Sequence, residues 1–171
     1  EALKKFQDLA NVKGYHLGVK LVRGAYMEKE RERAEEKGYK SPIQVDKAAT
    51  DKDYDLATLF CAENNIALCA GTHNEQSSLL LANYIEENNL DKTNPSFYFA
   101  QLLGMSDHIS FNLSKQGYNV AKYVPYGPVK EVIPYLIRRA EENTSVAGQT
   151  SRELSLISAE MKRRKLSASS H

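Results

Sequence analysis

The sequence predicts an α/β chain built from parallel strands, four βα units that amount to half of a (βα)8 barrel. Three observations lead there. Short apolar runs at residues 16–23, 66–70, 96–102 and 120–124 alternate with helical patterns, a rhythm that argues for parallel strands joined by right-handed crossovers. No G-x-G-x-x-G follows any of these runs, which disfavours a dinucleotide-binding doubly wound sheet. A whole barrel takes about 250 residues, and 171 residues suffice for four of its eight units.

Residues 1–12 place Leu3, Phe6, Leu9 and Ala10 at helical spacing, and Gly14 stops the helix. Residues 16–23 (HLGVKLVR) form the first strand, which the small Gly24 and Ala25 let the backbone leave closely. Residues 27–37 are charge-dense and helix-forming, with Gly38 as the stop. After a loop at 41–47, residues 48–64 form an amphipathic helix with Tyr54, Leu56, Leu59 and Phe60 on its apolar side. The second strand, 66–70, ends at Gly71-Thr72-His73-Asn74, and residues 75–88 form a helix that is apolar through Leu79, Leu80, Ala82 and Ile85. Residues 96–102 (SFYFAQL) make the third strand, followed by a turn at Gly104-Met105 and a short helical or irregular piece over 107–116. The fourth strand, 120–124, leads through a Pro-Gly-Pro turn into a helix reaching Asn143. Residues 151–165 form a last amphipathic helix, and 166–171 a polar tail expected to be disordered. The chain opens inside a helical pattern without Met, so we expect it to be a piece of something longer, with 1–171 as one half-barrel.

Composition narrows the function classes. With 42% hydrophobic and 26% charged residues and a net charge of +1, the balance is that of a soluble globular protein and argues against a dedicated nucleic-acid binder. The basic run from Lys162 to Lys165 reads as a solvated helix end. Cys61 and Cys69 lack framework spacing and read as reduced core thiols of a cytosolic-type protein. No apolar run reaches about 18 residues and no signal peptide is visible. The four histidines are scattered without ligand spacing, so no metal site is expected.

Barrel chemistry sits at the C-terminal ends of the strands. The candidates there are the stretch from Lys20 through Val22 and Arg23 to Tyr26, then Thr72-His73-Asn74, Ala100-Gln101-Leu102, and Tyr123. On the helix that follows, Tyr135, Arg138, Arg139 and Glu142 fall within one arc, beside Val132, Ile133, Leu136, Ile137 and Ala140, which would bury against a sheet. Paired arginines beside an aromatic ring suit a small carboxylate, since each guanidinium offers two parallel bonds. Alone, an Arg-Arg pair one turn from glutamates is more often a solvated face held by i,i+4 pairs. The converging strand ends favour the binding function.

Four motifs in order, VKLVRGAYM (19–27), GTHNE (71–75), YFAQLLGM (98–105) and the stretch from Tyr123 to Asn143 with YLIRRAEEN, resemble the proline dehydrogenase family. They cover nearly the whole chain, and the wording YFAQLLGM and KYVPYGPV resembles the stand-alone and mitochondrial-type branch more than the large bifunctional bacterial enzymes. The resemblance implies strands five to eight of a flavin-dependent (βα)8 barrel that oxidises L-proline to Δ1-pyrroline-5-carboxylate, with FAD as cofactor and a quinone as electron acceptor. It implies an N-terminal half-barrel that this chain does not contain. A cytoplasmic location also follows, with peripheral contact at the inner membrane, on the matrix side in a eukaryote.

Carried over by motif, Arg138 and Arg139 hold the proline carboxylate, Tyr123 and Tyr135 close over the substrate ring, Leu102 is an apolar wall and Tyr26 packs nearby. Lys20 takes the place of a cation near flavin N5. The Arg23-Gly24-Ala25 backbone with Val22, the Thr72-His73-Asn74 corner and Gln101 match cofactor contacts. Glu142 matches an acid near the flavin, and Lys47 a phosphate contact. Many bacterial members carry arginine at the Lys20 position; lysine keeps the charge and loses the planar fork. Tyr123 resembles the proline-using rather than the hydroxyproline-using branch. His73 reads as a fixed hydrogen-bond partner of the cofactor or, alternatively, as a proton shuttle. Two rival functions stand beside this one: another flavin barrel such as a methylenetetrahydrofolate reductase, and a non-catalytic half-barrel acting as a folding or interaction unit.

Overall fold

A computed structural model describes residues 2–23, 26–145 and 149–168, and side chains in the last two helices at 129–139 and 154–164. The chain divides into two compact units, Glu1–Tyr123 and Val124–His171.

The first unit contains α1 (Ala2–Lys13), β1 (Gly18–Val22), α2 (Met27–Lys37), α3 (Lys47–Glu63), β2 (Ala67–Gly71), α4 (Glu75–Glu87), β3 (Phe97–Leu102), α5 (Asp107–Lys115) and β4 (Val120–Tyr123). The four strands form one sheet in the order β1-β2-β3-β4, every pair parallel. Strands that neighbour each other in sequence also neighbour each other in space, with no reversal of order, unlike a doubly wound sheet. The expected alternation is therefore observed, with bounds shifted by one or two residues, and 107–115 is regular helix.

Local chemistry sets the element ends. Asp46 accepts a hydrogen bond from Ala49 N at 2.7 Å and starts α3, while Asn74 accepts from Gln76 N and Ser77 N and starts α4. Gly38 closes α2 in the left-handed conformation, its amide reaching the Ala34 and Glu35 carbonyls. Alternation along each strand divides the sheet into two faces. Val19, Leu21, Leu68, Ala70, Phe97, Phe99 and Val120 share one face by register. They pack with Cys61 and Ala62 of α3, Leu81 and Ile85 of α4, Ile109 and Leu113 of α5, and Leu3 of α1. Burying side chains such as Phe99 or Leu68 contributes about 1.5–3 kcal/mol each. Tyr118 caps this core edge-on to Phe99, ring centroids 5.5 Å apart, and donates its hydroxyl to Glu86 at 3.0 Å. Both cysteines are free; Cys61 is buried in the core, and Cys69 is half-buried with its side chain on the opposite face.

The second unit contains α6 (Val129–Ser145) and α7 (Gln149–Ala168). Helix α6 begins where Glu131 N and Val132 N both reach the Pro128 carbonyl, and it runs through Pro134 although that residue has no amide to donate. On its apolar arc Ile133, Leu136 and Ile137 are 39–52% exposed. Helix α7 continues through residues 166–168, which the sequence placed in the tail; Leu166 and Ala168 are good helix formers, and residues 169–171 lie outside the described residues. Among the described residues no helix is long and apolar enough to cross a membrane.

Candidate active site

The strand ends present two different sets of side chains. On the face away from the core, register aligns Val22, Gly71, Ala100 and Ala121 in one row, Lys20, Cys69 and Tyr98 in the row before it, and Leu102 with Tyr123 in the row after. Lys20 crosses from β1 towards β4: its Cε would lie 3.3 Å from a Cβ built on Gly71, and its ammonium stands 4.9 Å from the centroid of the Tyr123 ring. Glycine suits this crowded position, since the same Cβ would also meet the Leu21 carbonyl at 3.0 Å. The result is a low strip of Gly71, Ala100 and Ala121 with a cation above it and an aromatic wall at the C-terminal rim. Leu102 is buried, while Val22 and Tyr123 are exposed.

On the core-side face the strand-end residues are committed to the protein itself. Arg23 Nε pairs with Asp51 at 2.8 Å, its other nitrogens donate to Thr72 Oγ1 and, at 2.7 Å, to Ser77 Oγ, and its guanidinium lies 4.1 Å from the Tyr54 ring centroid. Ser77 passes a hydrogen bond on to Asp55 at 2.5 Å, and Lys47 pairs with Asp51 from one helical turn away. Partial burial pushes the Asp51 carboxyl upward, but hydrogen bonds and charge from Lys47 and Arg23 outweigh it and hold the group below its ordinary range. Burial raises the Tyr54 hydroxyl well above the usual tyrosine range. Beside this cluster opens a cleft of about 280 Å³ lined in part by Val22, Met27, Ile43, Gln44 and Thr50.

A second polar chain joins the next two strand ends. Gln101, 2% exposed, donates to the Thr72 carbonyl at 3.1 Å and accepts from Ser110 Oγ at 2.8 Å. His73 Nδ1 lies 2.9 Å from Ser106 Oγ. Lys122 ties the following loop down, pairing with Asp107 at 2.7 Å and donating to the Met105 carbonyl at 2.8 Å.

The structure thus brings Lys20, Val22, Leu102 and Tyr123 onto one face. The side chains of Arg23, Thr72 and Gln101 belong to the other, where each has protein partners; Asn74 serves as a helix cap and exposed Lys47 as an ion-pair partner. Tyr26 stands at the start of α2 with φ 78, half exposed, with Lys29 5.6 Å from its ring. Gly24 and Ala25 lie outside the described residues. In the second unit, Tyr135, Arg138 and Arg139 are half-buried on α6, and the Arg139 guanidinium is 5.3 Å from the Tyr135 ring. Glu142 is helical, and its side chain lies outside the described ones. Sequence reasoning did not single out Asp51, Asp55, Ser77, Ser106, Ser110 or Lys122. The one available signal was parity: polar residues at core-facing strand positions need partners, and those partners lie far away in sequence.

The family model for proline dehydrogenase matches residues 1–152. The chain is 46% identical over 165 residues to hydroxyproline dehydrogenase of Xenopus laevis, covering 92% of this chain and 35% of that protein. It is 44% identical over 162 residues to mitochondrial proline dehydrogenase 1 of Homo sapiens, covering 92% and 27%. Among solved structures, it superimposes with a TM-score of 0.76 and 31% identity on proline utilization A from Bdellovibrio bacteriovorus inactivated by N-propargylglycine, covering 85% of this chain and 15% of that one. The higher identities to mitochondrial-type proteins accord with the branch expected from YFAQLLGM and KYVPYGPV. The chain spans about a quarter to a third of the length of these curated relatives. With a family model matched over residues 1–152, relatives of the same family at 44–46% identity and a superimposable α/β fold, the chain belongs to the proline dehydrogenase family.

Proposed function

We propose that this chain supplies strands five to eight of a (βα)8 barrel and, in the full-length protein, much of a site that oxidises L-proline to Δ1-pyrroline-5-carboxylate. The observation that carries this reading is the gathering of Lys20 from β1, Leu102 from β3 and Tyr123 from β4 on one face of the parallel sheet, towards its C-terminal rim. FAD accords with the same face: the small residues Gly71, Ala100 and Ala121 share one row of it, and Lys20 brings a positive charge to it. When bound, FAD would supply the redox chemistry, accepting a hydride from the substrate's C5.

The residues have separable tasks. Arg138 and Arg139 bind the carboxylate and so orient the ring, a proximity effect. Tyr26, Leu102, Tyr123 and Tyr135 enclose its apolar part and exclude water. The Lys20 ammonium favours the electron-rich form of the cofactor. Val22, the 23–25 backbone, the 72–74 corner, Gln101, Lys47 and Glu142 border the cofactor; the geometry above supports a supporting rather than a direct part for the side chains of Arg23, Thr72 and Gln101. A quinone receives the electrons, an N-terminal half-barrel completes the site, and the protein is cytoplasmic with peripheral contact at the inner membrane, on the matrix side in a eukaryote.

A specific observation favours weighing a second substrate: the Xenopus relative is named for hydroxyproline. Against it, the Tyr123 ring stands at the rim beneath the Lys20 ammonium, where its bulk crowds a 4-hydroxyl. Anaerobic titration of the full-length flavoprotein with L-proline and with 4-hydroxy-L-proline tests both. Bleaching of the flavin by proline at much lower concentration supports the reading; bleaching by hydroxyproline alone overturns the substrate, and none by either overturns the function.

A further inference from the structure

Ser106 occupies a conformation that serine seldom takes. It precedes α5 with φ 50 and ψ 42, in the left-handed region, and its side chain makes no cap to that helix. Glycine is the ordinary occupant of such a position, and a Cβ there is costly. Serine at this site, only 4% exposed, also carries a hydroxyl into the interior. Two unfavourable choices at one residue call for a compensating contact.

The contact is His73. Ser106 Oγ lies 2.9 Å from His73 Nδ1, and among the described residues this is the one hydrogen bond that the hydroxyl makes. A buried O–H proton needs an acceptor. Were Nδ1 to carry the proton, both groups would donate into the same gap and the serine proton would have no acceptor there. The surrounding chain holds the pair in register: Ile109 N and Ser110 N both reach the Ser106 carbonyl, Ser110 Oγ donates to Gln101, and Gln101 donates to the Thr72 carbonyl beside His73.

We propose that Ser106 is a positioning residue that donates to Nδ1 of His73, leaves Nε2 as the ring nitrogen that carries the proton, and so makes His73 present an N–H rather than a lone pair to the cofactor. This rests on the reading of His73 as a cofactor contact. The position is left-handed because that backbone aims a hydroxyl at the end of β2, which glycine could not do.

The test uses full-length protein with nitrogen-labelled histidine, with and without FAD, and the variant Ser106→Gly. Glycine relieves the backbone, so the variant folds, with a thermal midpoint equal to or above the wild type. We expect wild-type His73 to show an unprotonated Nδ1, and Ser106→Gly to show mixed tautomers and an FAD Kd weakened roughly three- to tenfold, as for one lost hydrogen bond. A proton on Nδ1 in the wild type overturns the proposal, as does an unchanged tautomer or an unchanged Kd in the variant. Failure of the wild-type protein to bind FAD would instead sink the functional reading, and the tautomer of His73 in the cofactor-free protein would still decide what Ser106 does.

Discussion

Arg23 is the side chain on which the first unit's strand-end loops depend most, and Arg23→Met measures that dependence. The substitution keeps the length of the apolar stem and removes three donors and a charge. Arg23 bonds Asp51 from α3, Thr72 from the β2 exit and Ser77 from α4, and covers Tyr54. Hydrogen bonds to charged groups contribute about 1.5–3 kcal/mol each when counted singly, and such contributions overlap when they share one guanidinium. Asp51 retains Lys47 and is 24% exposed, so water repairs part of the loss and the full penalty of a stranded buried charge does not apply. A loss of about 3 kcal/mol remains, read from urea unfolding of the full-length protein as a lower midpoint with an unchanged slope. Hydrogen exchange should rise first at the 72–78 amides. Arg23→Lys keeps the charge without the fork and should fall between the two.

The pH dependence carries a sign that checks the mechanism. Asp51 is depressed below its ordinary value of 3.8 in the folded protein, so its contribution is present above that pH and is lost as pH falls through the lower folded value. Arg23→Met removes part of the depression, so the stability gap between variant and wild type should narrow as pH drops below 3.8. A variant within about 0.5 kcal/mol of wild type at neutral pH, the range of an ordinary surface substitution, would refute the hub.

Three further outcomes follow from the geometry. Gly71→Ala should displace the Lys20 stem, since the new Cβ meets Lys20 Cε at 3.3 Å and the Leu21 carbonyl at 3.0 Å; a flavin potential and a fold both unchanged would show the crossing to be dispensable. Lys20→Ala should make the flavin harder to reduce, measured by spectroelectrochemistry against the wild type, and an unaltered potential removes its electrostatic role. Arg139→Met should raise the proline requirement at least tenfold while the folded enzyme keeps its flavin, the loss expected when one partner of a carboxylate clamp goes; unchanged proline kinetics refute the clamp.

The fold was legible because its signals are local and repeated. Apolar runs of strand length, turn residues after each, and 3.6-residue patterns between them fixed element type nearly everywhere, and parallel pairing followed from the alternation. Boundaries slipped by a residue or two where caps decide, as at Lys47, which Asp46 draws into α3. Burial was less legible. The apolar arc of α6 reads as a buried face, but amphipathicity records that a helix seeks a partner without recording where that partner is.

The candidate site was legible as a set of positions and not as a division of labour. Sequence reasoning treats Arg23, Thr72 and Gln101 on the same footing as Lys20, Leu102 and Tyr123, since all stand at strand ends. Strand parity separates them. Arg23, Thr72, Gln101 and Lys122 continue the core-facing series of Leu21, Ala70, Phe99 and Val120 beyond the apolar part of each strand. A polar group arriving on the core side must find partners, and here they come from α3, α4 and α5, up to 54 residues away for Arg23 and Ser77. Lys20, Gly71, Leu102 and Tyr123 continue the other series, where no such demand exists and a ligand can be met instead. A site built from four separate strand ends needs a rigid rim, and the collar of hydrogen-bonded side chains on the core face would supply that support. Damage to the collar should therefore appear as loosened cofactor binding even where no collar side chain touches the cofactor, and Arg23→Met should lower FAD affinity in proportion to its loss of stability. A variant that lost the stability and kept the affinity would show the two faces to be mechanically independent.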